Sequence, residues 1–128
     1  MLNSENMKEC LNGNSKEPCF IPAQEILNLI SKKWGIQLIH LLRQGKPKRY
    51  TEIKDELRKG LKKKQISDAT LSDRLSEFVK KGIIVREVLP DIPPRVEYCL
   101  TKRGKELSQA LQPLVQWAIE VCHEALKI

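Results

Sequence analysis

At Gly82 the apolar rhythm of the chain changes from a helical period to a strand period. Before it, Leu71, Leu75 and Phe78 recur at i, i+4 and i+7. At 100° per residue they fall within about 60° of one another on a helix. After it, "IIVREVL" (83–89) and "RVEYCL" (95–100) are β-branched and alternate, which is a strand signature. Glycine is a natural helix stop. The segment between the strands, "PDIPP", is stiff because proline fixes φ. A helix that runs directly into a β-hairpin, with one apolar face to bury, admits few folds.

The remaining elements are helical. Pro22 suits the first turn of a helix at about 20–31, whose stripe is Ile26, Leu27, Leu29 and Ile30. Trp34 to Gln44 is apolar on more than one side, so it belongs in the middle of a core, and Gly45 stops it. "KPKRY" is short and extended. Thr51 is expected to cap a helix at about 52–59 that buries Ile53 and Leu57, and Ser67 one at about 68–81. Thr101 is expected to cap a last helical region, 102–126, with apolar residues at three and four. Pro113 should kink it or restart it as a new helix. Residues 1–18 are polar and read as a flexible tail, and 19–128 as one domain. A chain of 128 residues with 41% hydrophobic residues can bury one core.

Charge points to an anionic partner. The net charge is +7, and residues 46–64 hold nine Lys/Arg against three Asp/Glu, hence +6 in one stretch. A solvated, self-repelling loop is the alternative reading. Other chemistries lack material. The four cysteines form no C-x-x-C pair, and the two histidines stand far apart, so no metal site is expected and the thiols should be reduced. There is no glycine-rich phosphate loop, no H-E-x-x-H and no recognisable nucleophile triad, so neither an enzyme nor a cofactor is expected. No run of 18 apolar residues and no signal-peptide h-region is present, which reads as a cytoplasmic protein without a membrane span.

Two helices joined by a turn and followed by a hairpin make a winged helix-turn-helix. On the helix at 68–81 the face opposite the apolar stripe carries Ala69, Asp73, Ser76 and Lys80, flanked by Thr70, Ser72 and Glu77. Small polar side chains let a helix backbone approach base edges in the major groove. Capped helix N-termini offer N–H groups to phosphate.

"CFIPAQEILNLISKKWGIQLIHLL", "RYTEIKDEL", "ISDATLSDRLSEFVKKGIIVREV" and "PPRVEYCLTKRGKEL" resemble the HxlR-type winged-helix regulators, relatives of the MarR group. Lys33–Trp34, Leu71–Leu75 and the "PPRVEY-x-LT-x-x-G" signature carry the resemblance, which covers about residues 19–120. It implies a mainly α fold with a β-hairpin wing, and a homodimer on palindromic operator DNA. The first and last helices, about 20–31 and 102–126, would form the dimer, with Ile26, Leu114, Trp117 and Val121 at the interface. The chain departs from the family in a linker longer by about six residues before the recognition helix. It also departs in having Ala69, Asp73 and Ser76 where basic or long polar residues are common.

Base or groove contact is therefore assigned to Ser67, Ala69, Thr70, Asp73, Arg74 and, at the wing (about 83–100), Arg95. Phosphate contact is assigned to Lys48, Arg49, Thr51, Lys62, Lys63, Lys64 and Lys80. Arg74 could instead pair with Glu77 or Glu56, and Arg95 with Glu87. Trp34 and Tyr50 read as packing residues and His40 as a structural histidine. Cys99 and Cys122 read as structural, and Cys10 as able to form adventitious disulfides. Cys19 precedes the first helix, where N–H groups and the dipole lower a thiol pKa. By resemblance it matches the position of an oxidant- or electrophile-sensing cysteine, with an inert thiol as the alternative. A small molecule or oxidant is the effector class this allows. The competing function is a winged helix used only for protein contacts, which the basic segment beside the recognition helix disfavours.

Overall fold

The computed structural model describes residues 19–60 and 65–126. Within them the order is α1 (Ile21–Ile30), α2 (Gly35–Leu41), β1 (Lys48–Arg49), α3 (Tyr50–Gly60), α4 (Asp68–Lys80), β2 (Ile84–Leu89), β3 (Arg95–Leu100) and α5 (Lys102–Leu126). The chain divides after Ile36 into two compact units. The tail read at 1–18 lies outside the described residues.

In the first unit, Pro22 occupies the first turn of α1, and Leu29 and Ile30 are buried. Trp34 is buried, as its sequence context predicted, but it does not begin a helix. Its backbone is left-handed, with φ 75°, so the helix starts at Gly35. A β-carbon on Gly35 would stand 2.6 Å from the carbonyl oxygen of Ile30. Only glycine lets the chain pass there.

The second unit holds the remaining elements. Leu38, Ile39 and Leu42 are buried, and regular α2 ends at Leu41 rather than Gln44. Gly45, at φ 80°, closes this end and donates its N–H to the Leu42 carbonyl at 3.2 Å. Ile53 and Leu57 on α3, and Leu71, Leu75 and Phe78 on α4, are buried with Ile66, Ile83, Ile84 and Leu100. Each contributes about 1.5–3 kcal/mol by leaving water. The stripe of α4 is thus the buried one that its spacing predicted.

The sheet is antiparallel, in the order β1-β3-β2. β2 and β3 form the expected hairpin, running from Ile84 opposite Leu100 to Leu89 opposite Arg95. The extended piece before α3 is a third strand, with Lys48 opposite Tyr98 and Arg49 opposite Glu97. Helices α3 and α4 followed by this sheet make a winged helix. Thr101 joins wing to α5 as predicted: its hydroxyl accepts from Gly104 N–H at 3.1 Å and donates to the Gly82 carbonyl at 2.5 Å. The last helix does not restart at Pro113. It is one α-helix, and Pro113 is exposed on its surface. Among the described residues, no helix is long and apolar enough to cross a membrane.

Candidate nucleic-acid interface

The candidate interface centres on the start of α4. Ser67 has extended backbone, and its hydroxyl accepts from the Thr70 N–H at 3.2 Å, which satisfies one orphan donor of the first turn. The same hydroxyl donates to Thr70 Oγ1 at 2.9 Å, so these two polar groups engage one another. Thr70 is half-buried. Ala69, Ser72, Asp73, Ser76 and Lys80 are all exposed. The face assigned to base contact is therefore accessible and small, with Thr70 at its margin.

Helix α3 begins two residues earlier than expected. Tyr50 opens it, so Thr51 lies inside its first turn and does not cap it. Thr51 remains exposed there, beside exposed Arg49. Lys48, assigned to phosphate, is held by Glu56, with Nζ at 2.6 and 2.8 Å from the two carboxylate oxygens. Arg74 pairs with Glu77 at 3.0 Å, the first of the two alternatives open in the sequence. Lys62, Lys63 and Lys64 lie outside the described residues.

At the wing, Arg95 pairs with Asp91 at 3.0 Å and, more loosely, with Glu97 at 3.5 Å. The expected Glu87 is not its partner; Glu87 and Glu97 are themselves directly opposite in the ladder. Two facing carboxylates repel, and the Arg95 guanidinium offsets that repulsion from the tip side. Ile92 projects from the tip fully exposed. A cleft of about 480 Å³ lies between tip and α3, lined by Arg49, Tyr50, Thr51, Asp91, Pro93 and Arg95 among others. It brings the assigned Arg49, Thr51 and Arg95 around one space large enough for a phosphate group.

Tyr50, read from the sequence as a packing residue, meets Lys54 and Asp68, which sequence reasoning passed over, at the start of α4. Tyr50 donates its hydroxyl to Asp68 Oδ1 at 3.0 Å and reaches the Asp68 carbonyl at 3.2 Å. Lys54 Nζ stands 2.5 Å from the same Oδ1. The Lys54 contact first, and the Tyr50 hydroxyl second, hold the Asp68 carboxyl below its ordinary range. An acidic residue just inside a helix start is a readable signal. Its partners, fourteen and eighteen positions upstream, are not.

The cysteines differ in state. Cys19 is disulfide-bonded, against the expectation of reduced thiols, while Cys99 and Cys122 are free. Burial, then the Glu87 carboxylate, push the Cys99 thiol up. Cys122 is exposed on α5. So are Leu114, Trp117 and Val121, at 48%, 61% and 43%, whereas Ile26 on α1 is half-buried. No group of three or more His, Cys, Asp or Glu among the described residues could hold a metal ion.

The HxlR-like helix-turn-helix family model matches residues 29–125. The chain is 34% identical over 99 residues to the HTH-type transcriptional regulator YodB of Bacillus subtilis, covering 77% of this chain and 82% of that protein. Its structure resembles the reduced form of YodB with a TM-score of 0.71 at 33% identity, covering 83% and 96% of the two chains. It also resembles the redox regulator HypR in its oxidised form, with a TM-score of 0.57 at 30% identity over 80% and 95%.

Proposed function

The chain belongs to the HxlR-like helix-turn-helix family of transcriptional regulators, and we propose that it is a cytoplasmic homodimer that binds a palindromic DNA operator by sequence. The observation that carries this reading is the exposed face of α4. Ala69, Ser72, Asp73 and Ser76 are small or polar and open to solvent on a helix whose start is capped by Ser67. Such a surface fits a major groove, and the wing that follows it fits the neighbouring minor groove.

Roles divide by chemistry. The Ala69 methyl meets thymine methyl groups, and the Asp73 carboxylate accepts from cytosine N4. Arg49, Thr51 and Lys80, with Lys62, Lys63 and Lys64, supply phosphate affinity. Lys48, Arg74 and Arg95 start from intramolecular ion pairs, so their DNA contacts require an exchange of partners. Such exchange costs least for Arg95, whose side chain is the most exposed of the three.

Dimerisation through α1 and α5 is supported by the large apolar side chains left open on α5, Trp117 foremost. It places two copies of α4 about 34 Å apart, one duplex turn. Cys19 is the candidate redox centre. Its disulfide, and the likeness to a redox regulator, support control by thiol state. Reduction by an external dithiol delivers two electrons and two protons and leaves two thiols. It alters regulation only if one thiol state favours one dimer geometry.

The test is selection of bound sequences from a random duplex pool. Wild-type protein enriches a two-fold symmetric site, and Asp73→Ala loses preference at one position in each half-site. Enrichment of no sequence would refute specific binding. Lys62→Gln/Lys63→Gln/Lys64→Gln should weaken binding to all duplexes and flatten the salt slope by roughly one for each phosphate left unneutralised.

A further inference from the structure

Helices α3 and α4 are linked in the chain through residues 61–67, yet their first turns are joined directly by side chains. Tyr50 and Lys54 stand at i and i+4 on α3, and so share one face. Both reach Asp68, the first residue of α4. The hydroxyl of Tyr50 bonds to the Asp68 carboxylate at 3.0 Å and contacts its backbone carbonyl at 3.2 Å. The ammonium of Lys54 sits 2.5 Å from the carboxylate.

Two consequences follow from this geometry. The start of α4 is fixed by side chains of a neighbouring helix as well as by the chain that leads into it. In addition, a carboxylate at a helix start next to DNA would repel phosphate, and here Lys54 balances its charge. We propose that Tyr50 and Lys54 are positioning residues that set the orientation of α4, and so determine sequence specificity without touching DNA. This rests on the DNA-binding reading given above. A recognition helix free to tilt still meets the electrostatic attraction of any duplex, but it holds base-edge geometry poorly. Removing the clamp should therefore reduce preference more than general affinity.

The experiment uses the full chain in two measurements. Amide hydrogen exchange of the free protein reports on the first turn of α4. Affinities for a preferred duplex and a random duplex, at one salt concentration, report on specificity. Tyr50→Phe changes no charge and removes only the hydroxyl. It should speed exchange at Ala69 to Leu71 and lower the preferred-to-random ratio about fivefold, the typical worth of one hydrogen bond, with random-duplex affinity unchanged. Lys54→Met should likewise speed exchange and lower the ratio, while leaving the Asp68 charge unbalanced weakens its binding to both duplexes; Lys54→Arg should retain the wild-type ratio.

Unchanged exchange in Tyr50→Phe and Lys54→Met would overturn the clamp. Faster exchange with an unchanged ratio would overturn its role in specificity. Loss of preference at a single base position in Asp68→Asn would make Asp68 a base reader and overturn the positioning role. A wild-type ratio of one would overturn the DNA-binding reading and this inference together, whereas a high wild-type ratio that no variant alters would overturn this inference alone.

Discussion

Gly104 lies against the carbonyl oxygen of Ile83, in space that a β-carbon would occupy. The neighbour is backbone and cannot rotate away. The same carbonyl accepts the Thr101 N–H at 3.0 Å, so the end of β3, the start of β2 and the first turn of α5 meet at one point. This gives the T-x-x-G ending of the wing signature a physical meaning. Thr101 caps α5, and Gly104 lets that helix seat on the strand.

Gly104→Ala should therefore destabilise the protein by about 1–3 kcal/mol, the range for overpacking a site that cannot relax. Urea unfolding measures it. A loss below about 0.5 kcal/mol would mean that the junction can spread to admit a methyl group.

Ser67 and Thr51 look alike in the sequence as helix caps, but only Ser67 takes that role. Ser67→Ala should cost about 1 kcal/mol. Thr51→Ala, at an exposed position inside the first turn of α3, should change stability by less than about 0.5 kcal/mol. Equal losses in the two variants would contradict the cap assignment.

The Cys99 thiol should be poorly reactive near neutral pH. Burial, reinforced by Glu87, raises its folded pKa above the ordinary 9.0, which favours the neutral thiol. The associated stabilisation is fully present below that ordinary value and is lost as pH rises through the folded one. Because the thiolate is the nucleophile, alkylation of Cys99 at pH 8 should be severalfold slower in the folded chain than in urea. A Cys10→Ser/Cys19→Ser/Cys122→Ser background isolates the signal. Equal rates would show that Cys99 is open to solvent.

Trp117 exposes 61% of its surface on α5. In the proposed homodimer that surface is covered. Trp117→Glu should shift sedimentation from dimer to monomer, with helical content unchanged, because the side chain lies outside the core. A dimer that persists in Trp117→Glu would move the interface elsewhere.

How much is legible in the sequence follows from the range of each interaction. The α4 helix and β3 are readable nearly to the residue because their signals are local: a serine cap, apolar spacing, a glycine stop and alternation. Strand β1 reads only as extended, since two residues become a strand by pairing with Tyr98 and Glu97, far along the chain. Thr51 is misplaced as a cap because it is the helix start at Tyr50, beside that pairing, that decides its role. The partners of Arg95 turn on the shape of the wing tip and on the register that sets Glu87 opposite Glu97. The cluster of Tyr50, Lys54 and Asp68 depends on how two helices meet, which no local pattern records. Of the interface, the exposed face of α4 is legible. The Glu77 partner of Arg74 is visible as one of two choices, and the ion pairs that hold Lys48 and Arg95 are not.

The most direct measurement of the central claim is the affinity of the protein for its selected site and for a shuffled duplex of equal length, each at two salt concentrations. Specific recognition by α4 predicts that both affinities fall as salt rises, while the site stays at least about a thousandfold tighter than the shuffled duplex at physiological salt. Equal affinities for the two duplexes at both salt concentrations would contradict it and leave only charge attraction.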